Sequence, residues 1–359
     1  MKTEIIKINR ERFEEEELDF AAQCLREGKL VAFPTETVYG LGGNAFDATA
    51  SARIYAAKGR PSDNPLIVHI AETEALAELA AEVPEAAYRL AETFWPGPLT
   101  MILKKSDKVP KTTTGGLDTV AIRMPSDKIA ATLIRRSGIY VAAPSANASG
   151  RPSTTKAEHV IEDLDGKIDV IIDGGASAIG LESTIVDLTG EVPLILRPGY
   201  INAEQLAEVL GEVRFDEAVL KKSASEHIVA KAPGMKYRHY APKAPLYIVE
   251  GKSDEVIRYI NTEAVKNAAE GRLTGILATE ETKKYYTGGM VFCVGERANA
   301  ESIAAGLFDT LRSFDETGVG VIYSESFADN PLGTAIMNRL LKAAGYHIIQ
   351  LNQDEDTLK

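Results

Sequence analysis

Apolar residues recur along the chain in two rhythms. Short runs rich in β-branched residues are each closed by Gly, Pro or polar residues, which predicts buried strands. They are "KLVAFPT" (29–35), "PLIVHI" (65–70), "LTMILKK" (99–105), "TVAIRMP" (119–125), "IYVAAPS" (139–145), "IDVIIDGG" (168–175), "STIVDL" (183–188) and "PLILRPG" (193–199). Helical spacing predicts helices over "ERFEEEELDFAAQCLREG" (11–28) and "ATASARIYAAKG" (48–59), stopped at Gly28 and Gly59, and over a tract from Glu72 to Trp95 interrupted at Pro84. Several strands follow one another through short turns, so the sheet they form is expected to be mixed.

From Ala244 the pattern restarts. "PLYIVE", "DEVIRYINTEAVKNAAEG", "LTGILAT", "MVFCVG", "SIAAGLFDTLRSFDETG", "VGVIYSES" and "TAIMNRLLKAAG" alternate strand and helix in the manner of a small parallel, Rossmann-like α/β domain. Pro233, Gly234, Pro242 and Pro245 exclude a long regular element just before it. The expected organisation is an α/β domain over 1–211, a basic linker over 212–243 and a small α/β domain over 244–359.

A chain of 359 residues that is 45% hydrophobic and 26% charged is long enough for two globular domains. No apolar run reaches the roughly 18 residues of a membrane span. The stretch "MKTEIIKINRERFEEEEL" has no signal-peptide core, so a cytoplasmic location and no membrane association are expected. Two separated cysteines, Cys24 and Cys293, argue against a disulfide framework or a structural zinc site. The net charge of −12 argues against a broad grip on nucleic acid. Residues 213–243 nevertheless carry +4 against −16 for the rest, a basic island that is either a solvated connector or a cover for an anion.

Two phosphate-loop look-alikes fail on context. "GLGGNA" (40–45) fits the dinucleotide fingerprint in letters, but "PTETVY" separates it from its strand. "GKS" (251–253) lacks the preceding glycine of a phosphate loop and reads as a turn. More informative are polar residues at the ends of, or within, apolar strands: Thr35, Thr37, His69, Arg123, Ser145, Asn147, Ser149, Ser153, Glu182, Ser183, Thr184 and Arg197. Each alone reads most simply as a satisfied structural group. Strand-end loops are nonetheless where α/β domains build sites. Four cations (Lys58, Arg60, Arg123, Arg197) among small hydroxyl and amide residues make a receptor for phosphate and carboxylate.

"KGRPSDNPL" together with "APSANASGRPS" resembles the Lys-x-Arg and Ser-x-Asn signature of the YrdC family of threonylcarbamoyl-AMP synthases. "FPTETVYGLG", "WPGPLT", "DTVAIRMP", "GLESTIVD" and "LRPG" extend the likeness over roughly residues 20 to 210, and "PGMKYRHYAP" followed by a small α/β domain is similar to the long two-domain form. The resemblance implies a YrdC-like twisted mixed sheet. It also implies condensation of L-threonine, bicarbonate and ATP to threonylcarbamoyl-AMP and pyrophosphate, for modification of the tRNA adenosine beside the anticodon. Lys58, Arg60, Ser145 and Asn147 would be the catalytic signature. ATP contacts would come from these four with Ser62, Thr119, Ser153, Arg197 and Tyr237. Thr35, His69, Arg123, Ala143 and Ser183 would line the threonine pocket. His69 is open to two roles, general base or binding group.

Mg²⁺ is expected to arrive with ATP, with no dedicated protein cage, and the product to pass to a tRNA threonylcarbamoyl transferase complex without stable nucleic-acid binding. Because carbamates and carbamoyl-phosphate anhydrides decay in bulk water, the segment "KAPGMKYRHY" is expected to serve as a lid, with Tyr237 or Tyr240 reaching the nucleotide. The rivals are an RNA-binding module of the same fold without catalysis, a carbamoyl-adenylate former that would need Cys-x-x-Cys zinc modules absent here, and an NAD enzyme.

Overall fold

Eleven short segments pair into one sheet: β1 (Glu4–Lys7), β2 (Val31–Phe33), β3 (Gly40–Asn44), β4 (Ile67–His69), β5 (Leu99–Lys104), β6 (Thr119–Arg123), β7 (Val141–Ala143), β8 (Val170–Asp173), β9 (Thr184–Asp187), β10 (Leu194–Arg197) and β11 (Arg214–Phe215). The spatial order is β1-β8-β2-β3-β7-β4-β6-β5-β9-β10-β11, with parallel and antiparallel pairs interspersed, the mixed sheet that the sequence implies. The computed structural model describes residues 2–220, 231–233, 239–328 and 332–351. These fall into two units, the first holding this sheet and residues 231–233, the second holding 150–152 and the described residues from 239 onward.

Local chemistry sets the helix ends. Asp47 accepts from the Thr49 amide and Gly59, at φ 61°, closes helix Ala48–Lys58 in the left-handed conformation that glycine adopts without strain. Asp127 caps helix Lys128–Ser137 through the amides of Ile129 and Ala130. The expected early helix is shorter than its pattern: a 3-10 turn at Glu15–Leu18 precedes an α-helix over Asp19–Arg26. Four successive glutamates, Glu14 to Glu17, repel one another there, and Glu14 and Glu17 spend their side chains on a capping box.

Alternation along the strands separates two faces. One buries Leu41, Val68, Met101, Ile122, Ala142, Ile171, Val186 and Ile195 in the largest core, under helices Ala48–Lys58, Glu85–Phe94 and Ala157–Leu164. The opposite face carries two apolar patches that meet where Ala143 pairs with Ile67. At one end Phe33, Val141, Ala143, Val170 and Ile172 pack with residues of helices Asp19–Arg26 and Lys128–Ser137. At the other, Ile67, Ile102, Ala121, Ile185 and Leu196 are covered by Ala232.

Three elements of this unit escape the sequence pattern. β1 is too short to show alternation. β3 is the glycine-rich "GLGGN", where a Cβ on Gly42 would stand 2.7 Å from Val141 Cγ1 and 2.8 Å from Phe33 Cε1, so its glycines serve strand packing. β11 pairs in parallel with β10, so the first unit runs past the expected boundary at Gly211.

The second unit is a five-stranded, all-parallel sheet: β12 (Leu246–Glu250), β13 (Thr274–Ala278), β14 (Met290–Cys293), β15 (Val321–Glu325) and β16 (Ile348–Gln350), in the order β14-β13-β15-β12-β16. Helices Ser253–Ala269, Ala300–Phe314 and Gly333–Ala343 supply the crossovers. Gly251 and Lys252 turn the chain from β12 into the first of them, which disposes of "GKS" as a phosphate loop. Among the described residues, no helix is long and apolar enough to cross a membrane.

Candidate active site

A row of mostly polar side chains crosses this opposite face of the first unit's sheet. His69 pairs with Arg123, Arg123 with Thr100, Thr100 with Ile185, and Ile185 with Arg197. Directly paired residues point to the same face, so His69, Arg123, Thr100 and Arg197 share one side of four adjacent strands and one that follows. Two residues back along the strands, Ala143 pairs with Ile67 and Ile67 with Ala121, an apolar floor with two alanines. Two residues further back, Thr119 opens β6 and Ser145 follows β7. Strand rise places Thr119 about 13 Å from Arg123.

Arg123 anchors one end. It is 4% exposed, and its Nη1 donates to Thr37 Oγ1 at 2.8 Å. Thr37 Oγ1 in turn meets Thr35 Oγ1 at 2.8 Å, and Thr35 donates to the Val38 carbonyl at 2.6 Å. Nε and Nη2 of Arg123 are shielded from solvent and make no aligned hydrogen bond. Nη2 lies 2.7 Å from Glu36 Oε1 in a buried ion pair, and the Glu36 carboxylate also faces the backbone amides of Glu36 and Ser126. Burial alone would raise the Glu36 carboxyl; the Arg123 charge overrides it and holds the group below the ordinary glutamate value.

His69 is buried, and its Nδ1 lies 3.0 Å from the Ile67 carbonyl, which requires the ring nitrogen to donate. Burial first, and the Arg123 charge next, push its pKa down to about 3. A ring so reluctant to take a proton suits a binding role better than that of a general base toward an ammonium group.

Lys58 anchors the other end. Its Nζ donates to the Ser145 carbonyl at 2.5 Å and to the Asn147 carbonyl, tying the Ser-x-Asn loop to the end of helix Ala48–Lys58. Ser145 Oγ donates to Asn147 Oδ1 at 2.5 Å, and the Ser149 amide donates to the Lys58 carbonyl at 2.9 Å. Arg60 donates to the carbonyls of Asn64 and Pro65 at 3.2 and 3.1 Å. Both cations of the Lys-x-Arg pair therefore shape the backbone of the loops at this end.

Other expected residues fall into place around these anchors. Arg197 donates from Nε to the Ser183 carbonyl and from Nη2 to Ser183 Oγ, each at 3.0 Å, and from Nη1 to the Pro233 carbonyl at 3.4 Å. Ser183 Oγ also meets Thr100 Oγ1 at 2.7 Å. Ser153 is fully buried and donates to Glu182 Oε1 at 2.5 Å. Ser62 is exposed on the turn after Arg60. Tyr237 lies outside the described residues. Tyr240 is 5% exposed, and its ring stacks on Phe308 at 5.1 Å within the second unit. Thr100 and Glu36 were missed from sequence; the only available signals were a threonine opening an apolar strand and a glutamate between two threonines.

Among the described residues no group of three or more His, Cys, Asp or Glu side chains could hold a metal ion. Neutral oxygens of Ser145 and Asn147 sit together instead, a donor set that suits Mg²⁺ carried in by phosphates.

Residues 23–199 match the family described as "Telomere recombination", and residues 201–345 match that described as "Threonylcarbamoyl-AMP synthase, C-terminal domain". The chain is 54% identical to the threonylcarbamoyl-AMP synthase of Pyrococcus abyssi over 95% of its own length and 98% of that protein's. It is 52% identical to the Bacillus subtilis protein of the same name over 92% and 93%. The crystal structure of P. abyssi Sua5 complexed with L-threonine superposes with a TM-score of 0.92 at 53% identity, covering 98% of this chain and all of that one. With both matches in sequence order and an identity above one half along nearly the whole length, the chain belongs to the two-domain threonylcarbamoyl-AMP synthase family.

Proposed function

We propose that the chain condenses L-threonine, bicarbonate and ATP to threonylcarbamoyl-AMP and pyrophosphate. The observation that carries this reading is the buried Nε–Nη2 edge of Arg123, whose donors have no aligned acceptor, at one end of a face whose other end is built by Lys58, Ser145 and Asn147. A desolvated guanidinium edge suits a carboxylate held at two points. Family membership and the threonine complex of the P. abyssi protein support the same assignment.

The chemistry needs little more than placement and charge. The neutral amine of threonine adds to the carbon of bicarbonate and water leaves, giving a carbamate. A carbamate oxygen then attacks the α-phosphorus of ATP, and the bond to the bridging oxygen breaks to release pyrophosphate. Arg123 takes the substrate carboxylate, while Thr35, neutral His69 and Ser183 line the pocket and Ala143 forms its floor. Lys58 and Arg60 hold the loops that meet the phosphates and keep positive charge where negative charge grows. Ser145 and Asn147 would hold Mg²⁺ beside the phosphates; the ion supplies further charge neutralisation. Arg197, Ser153, Thr119 and Ser62 are the remaining nucleotide contacts of this reading. The product, a mixed anhydride, requires a transferase acting on tRNA adenosine to consume it.

Pyrophosphate release measured with each substrate omitted in turn tests the assignment. Strict dependence on both threonine and bicarbonate is expected. Release that ignores either one overturns it.

A further inference from the structure

Glu36 has no place in the mechanism above, yet it is the acidic group in contact with the threonine anchor. It sits in the loop between β2 and β3, 9% exposed, and the Ile179 amide donates to its backbone carbonyl at 2.8 Å, fixing the turn. The carboxylate approaches Arg123 Nη2 at 2.7 Å, and the backbone amides of Glu36 and Ser126 also face it. Desolvating an ion pair costs stability, so a glutamate buried this deeply against the threonine anchor points to a task at the site.

The geometry of Arg123 suggests which task. Thr37 holds Nη1, and Glu36 lies against Nη2. The guanidinium is planar and its hydrogens are fixed, so these two contacts set the direction of the side-on edge, the Nε hydrogen with one on Nη2, that a carboxylate accepts from at two points. Thr37 and Glu36 thereby hold the guanidinium from two sides and leave the third edge for substrate. The charges agree with this division. Arg123 with Glu36 is neutral as a pair, so the pocket matches an amino acid that is itself neutral as a zwitterion; without the Glu36 charge it would carry a net positive charge.

We propose that Glu36 is a positioning residue for the amino-acid substrate: it orients the Arg123 guanidinium and sets the pocket's charge to favour a zwitterion. This rests on the proposed function for the identity of the substrate, but its hold on Arg123 does not. Glu36→Gln keeps the shape and removes the charge, and Glu36→Asp keeps the charge on a shorter arm.

The test uses full-length protein. Threonine binding is measured by calorimetry without ATP, and KM for threonine and for ATP are measured separately in the pyrophosphate assay. Glu36→Gln should weaken threonine binding and raise its KM about ten- to hundredfold, with KM for ATP and kcat changed less than about threefold. Glu36→Asp should recover part of the loss. Threonine affinity within twofold of wild type in Glu36→Gln, or equal losses for both substrates, overturns the proposal.

A second readout requires no substrate. The Arg123 Nε–H resonance, assigned by its disappearance in Arg123→Lys, should be sharp and slow to exchange in the wild type and broadened in Glu36→Gln. An unchanged signal overturns the positioning role even if the wild type binds no threonine, an outcome that would count against the proposed function alone.

Discussion

Two arginine–glutamate pairs with buried carboxylates, one in each unit, meet the same electrostatic problem under different burial. In the second unit, Glu325 at the end of β15 accepts at Oε1 from Tyr286, 2.8 Å away, and from Thr282, and at Oε2 from Arg297 at 2.5 Å. Arg297 also donates to the Ser326 carbonyl at 3.1 Å, and its guanidinium lies 5.6 Å from the centre of the Phe327 ring. That carboxylate is well supplied with donors. In the first unit, Arg123 and Glu36 form a more deeply buried pair, and Arg123 keeps its Nε donor unspent. A satisfied network fixes a fold, whereas one built with spare valences is completed by something else.

The sharpest way to break this comparison is Arg123→Met. It should lower kcat/KM for threonine about a thousandfold, the loss expected from two charge-assisted hydrogen bonds, as read by threonine-dependent pyrophosphate release. It should also destabilise the fold by stranding Glu36. Arg123→Met with Glu36→Leu should regain stability without regaining activity, because removing both members of a poorly satisfied pair relieves the desolvation cost.

Glu325→Gln tests the satisfied pair. An unfolding free energy lower by about 2–3 kcal/mol is expected, discounted for the partial exposure of Arg297, with KM for threonine unchanged. Glu36→Gln strands the more deeply buried Arg123 charge and should cost about 3–5 kcal/mol in the same denaturant titration. Equal costs for the two glutamates would remove the distinction.

Lys58→Met should lower kcat/KM for ATP about a hundredfold by releasing the Ser145–Asn147 loop, with threonine binding in the absence of nucleotide nearly intact. The smallest effect concerns His69. Its folded pKa of about 3 lies below the ordinary 6.5, so between these values the unfolded chain binds a proton that the folded chain refuses. Its contribution is complete above about pH 6.5 and is lost as pH falls toward 3, at up to about 1.4 kcal/mol per pH unit. Urea midpoints at pH 7, 6 and 5 should fall less steeply for His69→Gln than for the wild type.

Much of this was legible in the chain. Strands announced themselves by β-branched runs, and Arg123 stood out because a charge inside "TVAIRMP" demands a reason. Glycines in β3 were not legible as a strand, because glycine has no β propensity and its fitness there depends on Phe33 and Val141 from elsewhere. Glu36 was illegible for a related cause: in a turn between threonines it reads as solvated, and only the fold buries it. Lys58 was read for its charge, while its hydrogen bonds to the Ser145 and Asn147 carbonyls could be known only once the loop was in place.

The strand β6 carries Thr119 at one end and Arg123 at the other, and a strand cannot be stretched. Under the proposed function it is a ruler between the carboxylate end and the nucleotide end of the site. Adding or deleting one residue would turn Arg123 to the opposite face, so its length can change only in steps of two, about 7 Å at a time. Substrates longer by a single methylene therefore meet a gauge with no intermediate marking, and any tolerance toward them has to come from the loops.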